Sequence, residues 1–330
     1  RPTGRTMPGN GDIRVLVLTN MYPTVAEPHL GCFVRDQVHD LRALGADVEV
    51  EAFDGRRDKR RYLAAAGALR RRLRHGCFDL IHAHYGLSGA VAAAQLRAPV
   101  VTTFHGSDAW ERWQRPVSQV VARRTQPIAV APVVAATLRL DGRAAVIPCA
   151  VDLDVFHPGD RAGARRQLGW PQDAPCILFP AARGDRSKAA NKRVDVFDAT
   201  VARVRRRIPD AHAASLDGLP RHEVALAMRA ADVAVMTSVR EGAPVAVKEA
   251  LASGTPVVSV AVGDVPDLVR GLPGCAITDR DPDALAAAVA DALRAGGDPR
   301  LREAMEAYGR RPIAERVLGV YGRLLAGRPR

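Results

Sequence analysis

Short apolar runs alternate along this chain with longer stretches whose apolar positions recur at helical spacing. Residues 13–19 are nearly all β-branched or leucine, the mark of a strand buried on both faces, where successive rather than alternate positions are apolar. Residues 33–44 place Val34, Val38 and Leu41 on one helical face and stop at Gly45. Residues 47–53 read as a second strand. A basic helix over 56–74 follows, with Tyr62, Ala66, Leu69 and Leu73 along one side. Strands are then expected at 79–86, running into a loop, and at 100–104, with short ones at 126–131 and 144–147. From Cys176 the pattern begins again. A strand at 176–181, a loop at 182–192 and a helix at 193–207 lead to strands near 212–216, 232–237, 256–260 and 275–278. Helices over 283–293, 301–308 and 312–325 close the chain. Alternating strands and helices predict α/β architecture with parallel sheets.

One stretch carries more chemistry than the rest: Arg240-Glu-Gly-Ala-Pro-Val-Ala-Val-Lys-Glu249. It follows the apolar run 231–237, and Gly242, Ala243, Pro244 and Val245 open a helix there, since proline suits a first turn whose N–H groups have no partner anyway. Open α/β sheets bind ligands at the carboxyl ends of their strands. A helix N-terminus in that place offers free N–H groups and a positive dipole end, both suited to a diphosphate. Glu241 at its mouth can face a sugar hydroxyl, and Glu249, about two turns on, can accept hydrogen bonds from a ribose. A plainer reading also fits. Glu241 favours the helix N-terminus electrostatically by roughly 0.3–1 kcal/mol, and Glu249 is solvated.

Other candidates are weaker taken singly. Gly31 stands at a helix start, where a small residue admits a phosphate or sugar, or simply allows a turn. His82 and His84 alternate on a strand and so share a face, a conceivable metal pair without an evident third ligand; a structural or acceptor-facing role suits them better. His105, at the mouth of the next strand, is a donor to sugar or phosphate, or a satisfied loop histidine. The loop 182–192 brings Arg183, Arg186, Lys188 and Lys192 to a strand end, where an arginine fork and a lysine point charge neutralise a diphosphate. Asp152-Leu-Asp154 spells a metal-binding pair, but it is a chance spelling in a connecting segment, and no metal is assigned.

Composition narrows the class. A chain of 330 residues holds one large domain or two ordinary ones, and 47% apolar residues suffice for a core. The net charge of +12 points to an anionic partner. Only four of the 48 cations are lysines, however, and an arginine bias follows GC-rich coding as readily as phosphate binding. Five scattered cysteines, without close pairs, argue against a zinc site and a disulfide framework and fit a reducing cytoplasm. No apolar run reaches the roughly 20 residues of a spanning helix, and residues 1–12 read as a flexible lead without a signal-peptide core. Aromatic residues at 5% leave no platform for single-stranded nucleic acid. The basic helix is a sheet-covering element with solvated charges, leaving room for weak peripheral contact with a membrane.

The spacing of Glu241 and Glu249 resembles the E-x7-E motif of retaining glycosyltransferases of family 4. The surrounding text is similar too: Thr237-Ser238, Lys248-Glu-Ala-Leu-Ala, Pro256-Val-Val-Ser-Val and Gly263-Asp-Val. The segment around Gly31, the His105-Gly-Ser-Asp spelling and Lys192-Arg-Val-Asp also resemble that family, with Cys149-Ala150 standing where it usually has Asn-Gly. The resemblance implies a GT-B fold: two Rossmann-like domains, 1–158 and 159–312, facing across a cleft, with a terminal crossover helix at 313–330 returning to the first. It implies transfer of a sugar, with retention, from a nucleotide diphosphate sugar to an acceptor hydroxyl, with no cofactor or metal. Glu241 and His105 would then lie by the donor sugar, Glu249 at the ribose, and Lys192 with Arg183 or Arg186 at the diphosphate. The rival expectations are an epimerase or phosphorylase of the same fold, or a non-catalytic nucleotide-binding module. A phosphorylase would need a pyridoxal lysine, and Lys248 is the one lysine after position 192.

Overall fold

The computed structural model describes residues 13–27, 30–56, 58–140, 142–184 and 189–327. In chain order the strands are β1 (Arg14–Thr19), β2 (Asp47–Ala52), β3 (Leu80–His84), β4 (Val100–Phe104), β5 (Gln126–Ala129), β6 (Ala145–Val146), β7 (Cys176–Phe179), β8 (His212–Ser215), β9 (Val233–Met236), β10 (Val257–Val260) and β11 (Ala276–Thr278). The helices are α1 (Cys32–Ala43), α2 (Arg61–His75), α3 (Gly86–Ala93), α4 (Ser107–Trp110), α5 (Arg115–Arg124), α6 (Pro132–Leu138), α7 (Arg161–Leu168), α8 (Ala189–Lys192), α9 (Val194–Arg205), α10 (Arg221–Ala230), α11 (Val245–Ala252), α12 (Val265–Leu268), α13 (Pro282–Ala295), α14 (Pro299–Glu303) and α15 (Arg310–Ala326). They form two units, one running to Ala150 and resuming at Arg310, the other spanning Val151–Gly309.

The first unit is a six-stranded sheet in the order β2-β1-β3-β4-β5-β6, parallel throughout. Its central strands are apolar on both faces because helices cover both. On one face Val15, Val17 and Leu80 pack with Val34, Val38 and Leu41 of α1 and with Ile313, Val317 and Tyr321 of α15. On the other, Leu16, Leu18 and Ile81 meet Leu69 and Leu73 of α2. Helix α15 is tied to α1 by Arg310 Nε, which donates to Asp40 Oδ1 at 2.7 Å. The basic helix starts at Arg61, later than its charge pattern suggested, and its buried stripe is Ala65, Leu69 and Leu73 at strict four-residue steps. Tyr62 is half-buried, its hydroxyl accepting from Asn20 Nδ2 at 2.8 Å. The segment after β3, expected as a loop, is helix α3; its many small residues, Gly86, Ser88, Gly89 and Ala92, are buried contacts and gave no periodic signal.

The second unit is a five-stranded parallel sheet in the order β11-β10-β9-β7-β8. Phe179, Phe197 and Val201 fill the side covered by α9 and α13, and Leu178, Met236, Val247 and Leu251 fill the side covered by α10 and α11. The helix expected at 193–207 is α9, and the loop expected before it ends in a short helix, α8, with Arg193 between the two at φ 53°. The last helix expected here, 301–308, divides into α14 and a single 3₁₀ turn, Glu306–Tyr308. Asp152 accepts from the backbone N–H groups of Asp154 and Val155 through Oδ1, an Asx turn. Among the described residues no helix is long and apolar enough to cross a membrane.

Candidate functional site

In the second unit the acidic stretch leaves β9 and becomes α11, with Pro244 as the residue before the helix at φ −64° and ψ 111°. Glu241 lies outside the helix. Its Oε1 accepts from Lys192 Nζ at 2.7 Å, and both side chains are about four-fifths buried. The sequence places these two residues 49 positions apart; the fold joins them through the neighbouring β7 and β9. Asn191, beside Lys192, clamps the same segment: its Nδ2 donates to the Arg240 carbonyl at 3.0 Å, and its Oδ1 accepts from the Arg240 N–H at 3.1 Å. Thr237 Oγ1 caps α8 by donating to the carbonyl of Lys192 at 2.8 Å. Arg280 holds the carbonyls of Thr237 and Ser238. Lys192 therefore closes one short helix rather than opening the next.

Glu249 sits in the fifth position of α11 and is 4% exposed, which overturns the solvated reading of that residue. Its carboxylate accepts from Arg221 Nη1 at 2.7 Å, and the Arg221 guanidinium lies 4.8 Å over the Phe156 ring. Arg221 was invisible to sequence reasoning because its significance comes only from this contact. Lys248 is wholly buried and donates to Asp264 Oδ2 at 3.0 Å, with the Tyr308 ring 5.8 Å away. Burial raises the Asp264 carboxyl above its ordinary range, against the opposing charge of Lys248. That pairing leaves Lys248 no room to hold a pyridoxal group. The turn at Gly263 (φ 56°) presses on the motif so closely that a Cβ there would stand 2.2 Å from the Gly242 carbonyl oxygen. Gly242 and Ala243 thus run between that turn and the N-terminus of α11, ahead of Pro244 and Val245.

Arg183 is committed elsewhere: its Nη2 donates to Asp198 at 2.6 and 2.7 Å, and its backbone N–H to Asp217. Arg186 and Lys188 lie outside the described residues.

The first unit carries the histidines. Gly31, at φ 65°, precedes α1, and a Cβ there would meet the Met21 carbonyl oxygen at 2.4 Å, so no other residue fits without moving the loop after β1. His82 bonds to Tyr321 Oη at 2.6 Å and to Thr103 Oγ1 at 2.7 Å, both interior groups. His84 is stacked on His82, and its Nδ1 lies 3.0 Å from His105 Nε2. His105 is half-buried, its ring 4.8 Å from Phe33 and 4.6 Å from Tyr85. Its backbone N–H and that of Gly106 donate to Asp108, a buried carboxyl pushed up to about 6 by desolvation despite four backbone hydrogen bonds. Desolvation holds all three imidazoles below their ordinary value, His84 at about 3. Tyr85 adopts φ 73° and ψ 149°, a region that L residues rarely occupy, and such strain gathers at functional sites.

Chemically, the second unit offers an ammonium, a carboxylate and a helix N-terminus side by side, with a second carboxylate fixed by arginine within the same helix. This suits an anionic leaving group attached to a polyhydroxylated ring. Residues 9–155 match the family description "Glycosyltransferase Family 4", and residues 207–311 match "Glycosyl transferases group 1". A D-inositol 3-phosphate glycosyltransferase of Actinosynnema mirum is 34% identical over 300 residues, covering 73% of this chain and 70% of the relative. The chain spans 61–70% of the length of curated relatives of that name. Among solved structures, sucrose-phosphate synthase from Thermosynechococcus elongatus superposes with a TM-score of 0.76 at 20% identity, covering 96% of this chain and all of that one. Anabaena HepE in complex with UDP-glucose does so with a TM-score of 0.63 at 16% identity, covering 95% and 98%. These likenesses show a GT-B fold, and with the paired matches along the sequence they establish that the chain belongs to glycosyltransferase family 4.

Proposed function

We propose that the chain moves a glycosyl group from a nucleotide diphosphate sugar to a hydroxyl acceptor, with retention at the anomeric carbon. The observation that carries this reading is the Lys192–Glu241 pair at the mouth of α11, with Glu249 buried and held by Arg221 four residues into the same helix. The diphosphate is assigned to the α11 N-terminus and Lys192, whose ammonium has three donors and can serve Glu241 and a phosphate together. Glu249 is assigned to the ribose. Glu241 and His105 are assigned to hydroxyls of the transferred sugar. As the bond from the anomeric carbon to the diphosphate oxygen breaks, negative charge grows on the leaving group, where a fixed cation and helix dipole act most strongly. The acceptor oxygen takes over the anomeric carbon on the same face, and its proton passes to the departing phosphate oxygen. No metal ion is assigned a part.

A fold shared with a UDP-glucose complex supports a nucleotide sugar as donor. Relatives named for D-inositol 3-phosphate make a phosphorylated cyclitol the first acceptor to try. A thermal-shift panel of nucleotide diphosphate sugars tests the donor assignment. A true donor at 100 times its Kd is expected to add about 2.7 kcal/mol to stability, and a panel without any shift would contradict it.

A further inference from the structure

His84 is buried at the end of β3, 1% exposed, and its Nε2 has no hydrogen-bond partner among the described residues. Its other ring nitrogen, Nδ1, faces Nε2 of His105 at 3.0 Å, so one imidazole donates and the other accepts. Both rings are neutral, since desolvation lowers both well below the ordinary histidine value. A neutral imidazole has one N–H and one lone pair, which leaves two arrangements. If His105 donated, the proton of His84 would sit on Nε2, a buried donor with nothing to receive it. If His84 donates from Nδ1, only a lone pair is left at Nε2. Buried orphan N–H groups are rarer than underused acceptors, and this selects the second arrangement.

We propose that His84 is a positioning residue, which donates from Nδ1 to His105 Nε2 and so fixes His105 as an Nδ1–H donor toward a ligand oxygen. His82 does not compete for either ring, because its two nitrogens are taken by the hydroxyls of Tyr321 and Thr103. The His105 ring is further held between Phe33 and Tyr85. The strained Tyr85 backbone is itself fixed at both ends: its N–H donates to the Thr103 carbonyl and its carbonyl accepts from Gly89, each at 2.9 Å. A ligand contact made this way selects an oxygen with a free lone pair, a hydroxyl or phosphoryl oxygen, and loses a deoxy analogue. That the oxygen belongs to the donor sugar rests on the glycosyl-transfer reading; the tautomer does not.

The test is a long-range proton–nitrogen correlation spectrum of the whole chain, ligand-free and labelled with ¹⁵N-histidine. The expected spectrum shows His105 protonated at Nδ1 and bare at Nε2, and His84 the same. His84→Asn puts an amide N–H near the place of Nδ1 and should preserve the His105 tautomer. His84→Phe removes the donor that fixes His105 and is expected to cost about tenfold in kcat/KM for the nucleotide sugar, with a smaller loss in His84→Asn. His105 protonated at Nε2 in the unsubstituted chain would overturn the proposal, as would an unchanged kcat/KM in His84→Phe. The unsubstituted spectrum decides even where the phenylalanine variant fails to fold. The expected tautomers without turnover of any nucleotide sugar would uphold the pairing and sink the donor-sugar assignment instead.

Discussion

At the scale of single residues, the ligand-free state couples Lys192 to Glu241, and this sets what each substitution should do. If the ammonium acts mainly on charge that develops in the leaving group, Lys192→Ala should lower kcat by on the order of 10²–10³ and change KM less. Steady-state kinetics showing normal turnover would rule that role out. Glu249, almost wholly buried and held by Arg221, is assigned to ribose, so Glu249→Ala should weaken binding of the free nucleotide while Glu241→Ala leaves it nearly intact. Calorimetry with equal losses in both variants would refute the division. Glu241, Glu249 and Lys192 were legible in the sequence because spacing and neighbouring text mark them. Their partners were not. Asn191, Arg221, Arg280 and Asp264 matter only through contacts the fold creates between distant segments, and no local pattern announces such a contact. Nor could the two arginine candidates be ranked from the text: the ion pair of Arg183 with Asp198 is likewise a product of folding.

At the scale of elements, the strands were the most legible feature, since β1, β3, β4, β7, β9 and β10 are buried on both faces and announce themselves as apolar runs. Helices built from small residues were the least legible. Helix α3 packs through Gly86, Ser88, Gly89 and Ala92, which carry little periodic contrast. The break between α8 and α9 at Arg193 also has no glycine or proline to mark it. The turn at Gly263 is where an element and the site meet. It is pinned by Lys248 to Asp264 and abuts the carbonyls of Gly242 and Glu241. Gly263→Ala needs a Cβ at φ 56° and 2.2 Å from the Gly242 oxygen, so the acidic loop must shift. Displacements near 1 Å cost about 10²-fold in rate when they misplace reacting groups. The variant is therefore expected to lose far more kcat than melting temperature. A folded variant with unchanged kcat would show that the turn does not position Glu241.

At the scale of the whole molecule, the buried histidines of the first unit make stability depend on pH. His82, His84 and His105 have depressed values in the folded chain, so their stabilising contribution is present above the unfolded value, 6.5, and is lost as pH falls toward their folded values, about 3 for His84. Asp108 acts the other way. Its folded value of about 6 lies above the unfolded one, so its contribution is present at low pH and is lost as pH rises through 6. As pH falls below 6.5, unfolding takes up protons at the histidines against the one released at Asp108, so stability falls on acidification. Thermal midpoints measured from pH 7 to 4 should drop accordingly, and a flat or rising profile would contradict the buried, neutral histidine column. Glycosyl transfer from a nucleotide diphosphate sugar is here proposed to rest on Lys192, Glu241 and Glu249. Its most direct test needs no acceptor: slow hydrolysis of a panel of nucleotide sugars, followed by NMR. One donor is expected to yield nucleoside diphosphate and a free sugar formed first with the donor's own anomeric configuration, with the signal lost in Lys192→Ala. Absence of hydrolysis across the panel, or first-formed sugar of inverted configuration, would contradict it.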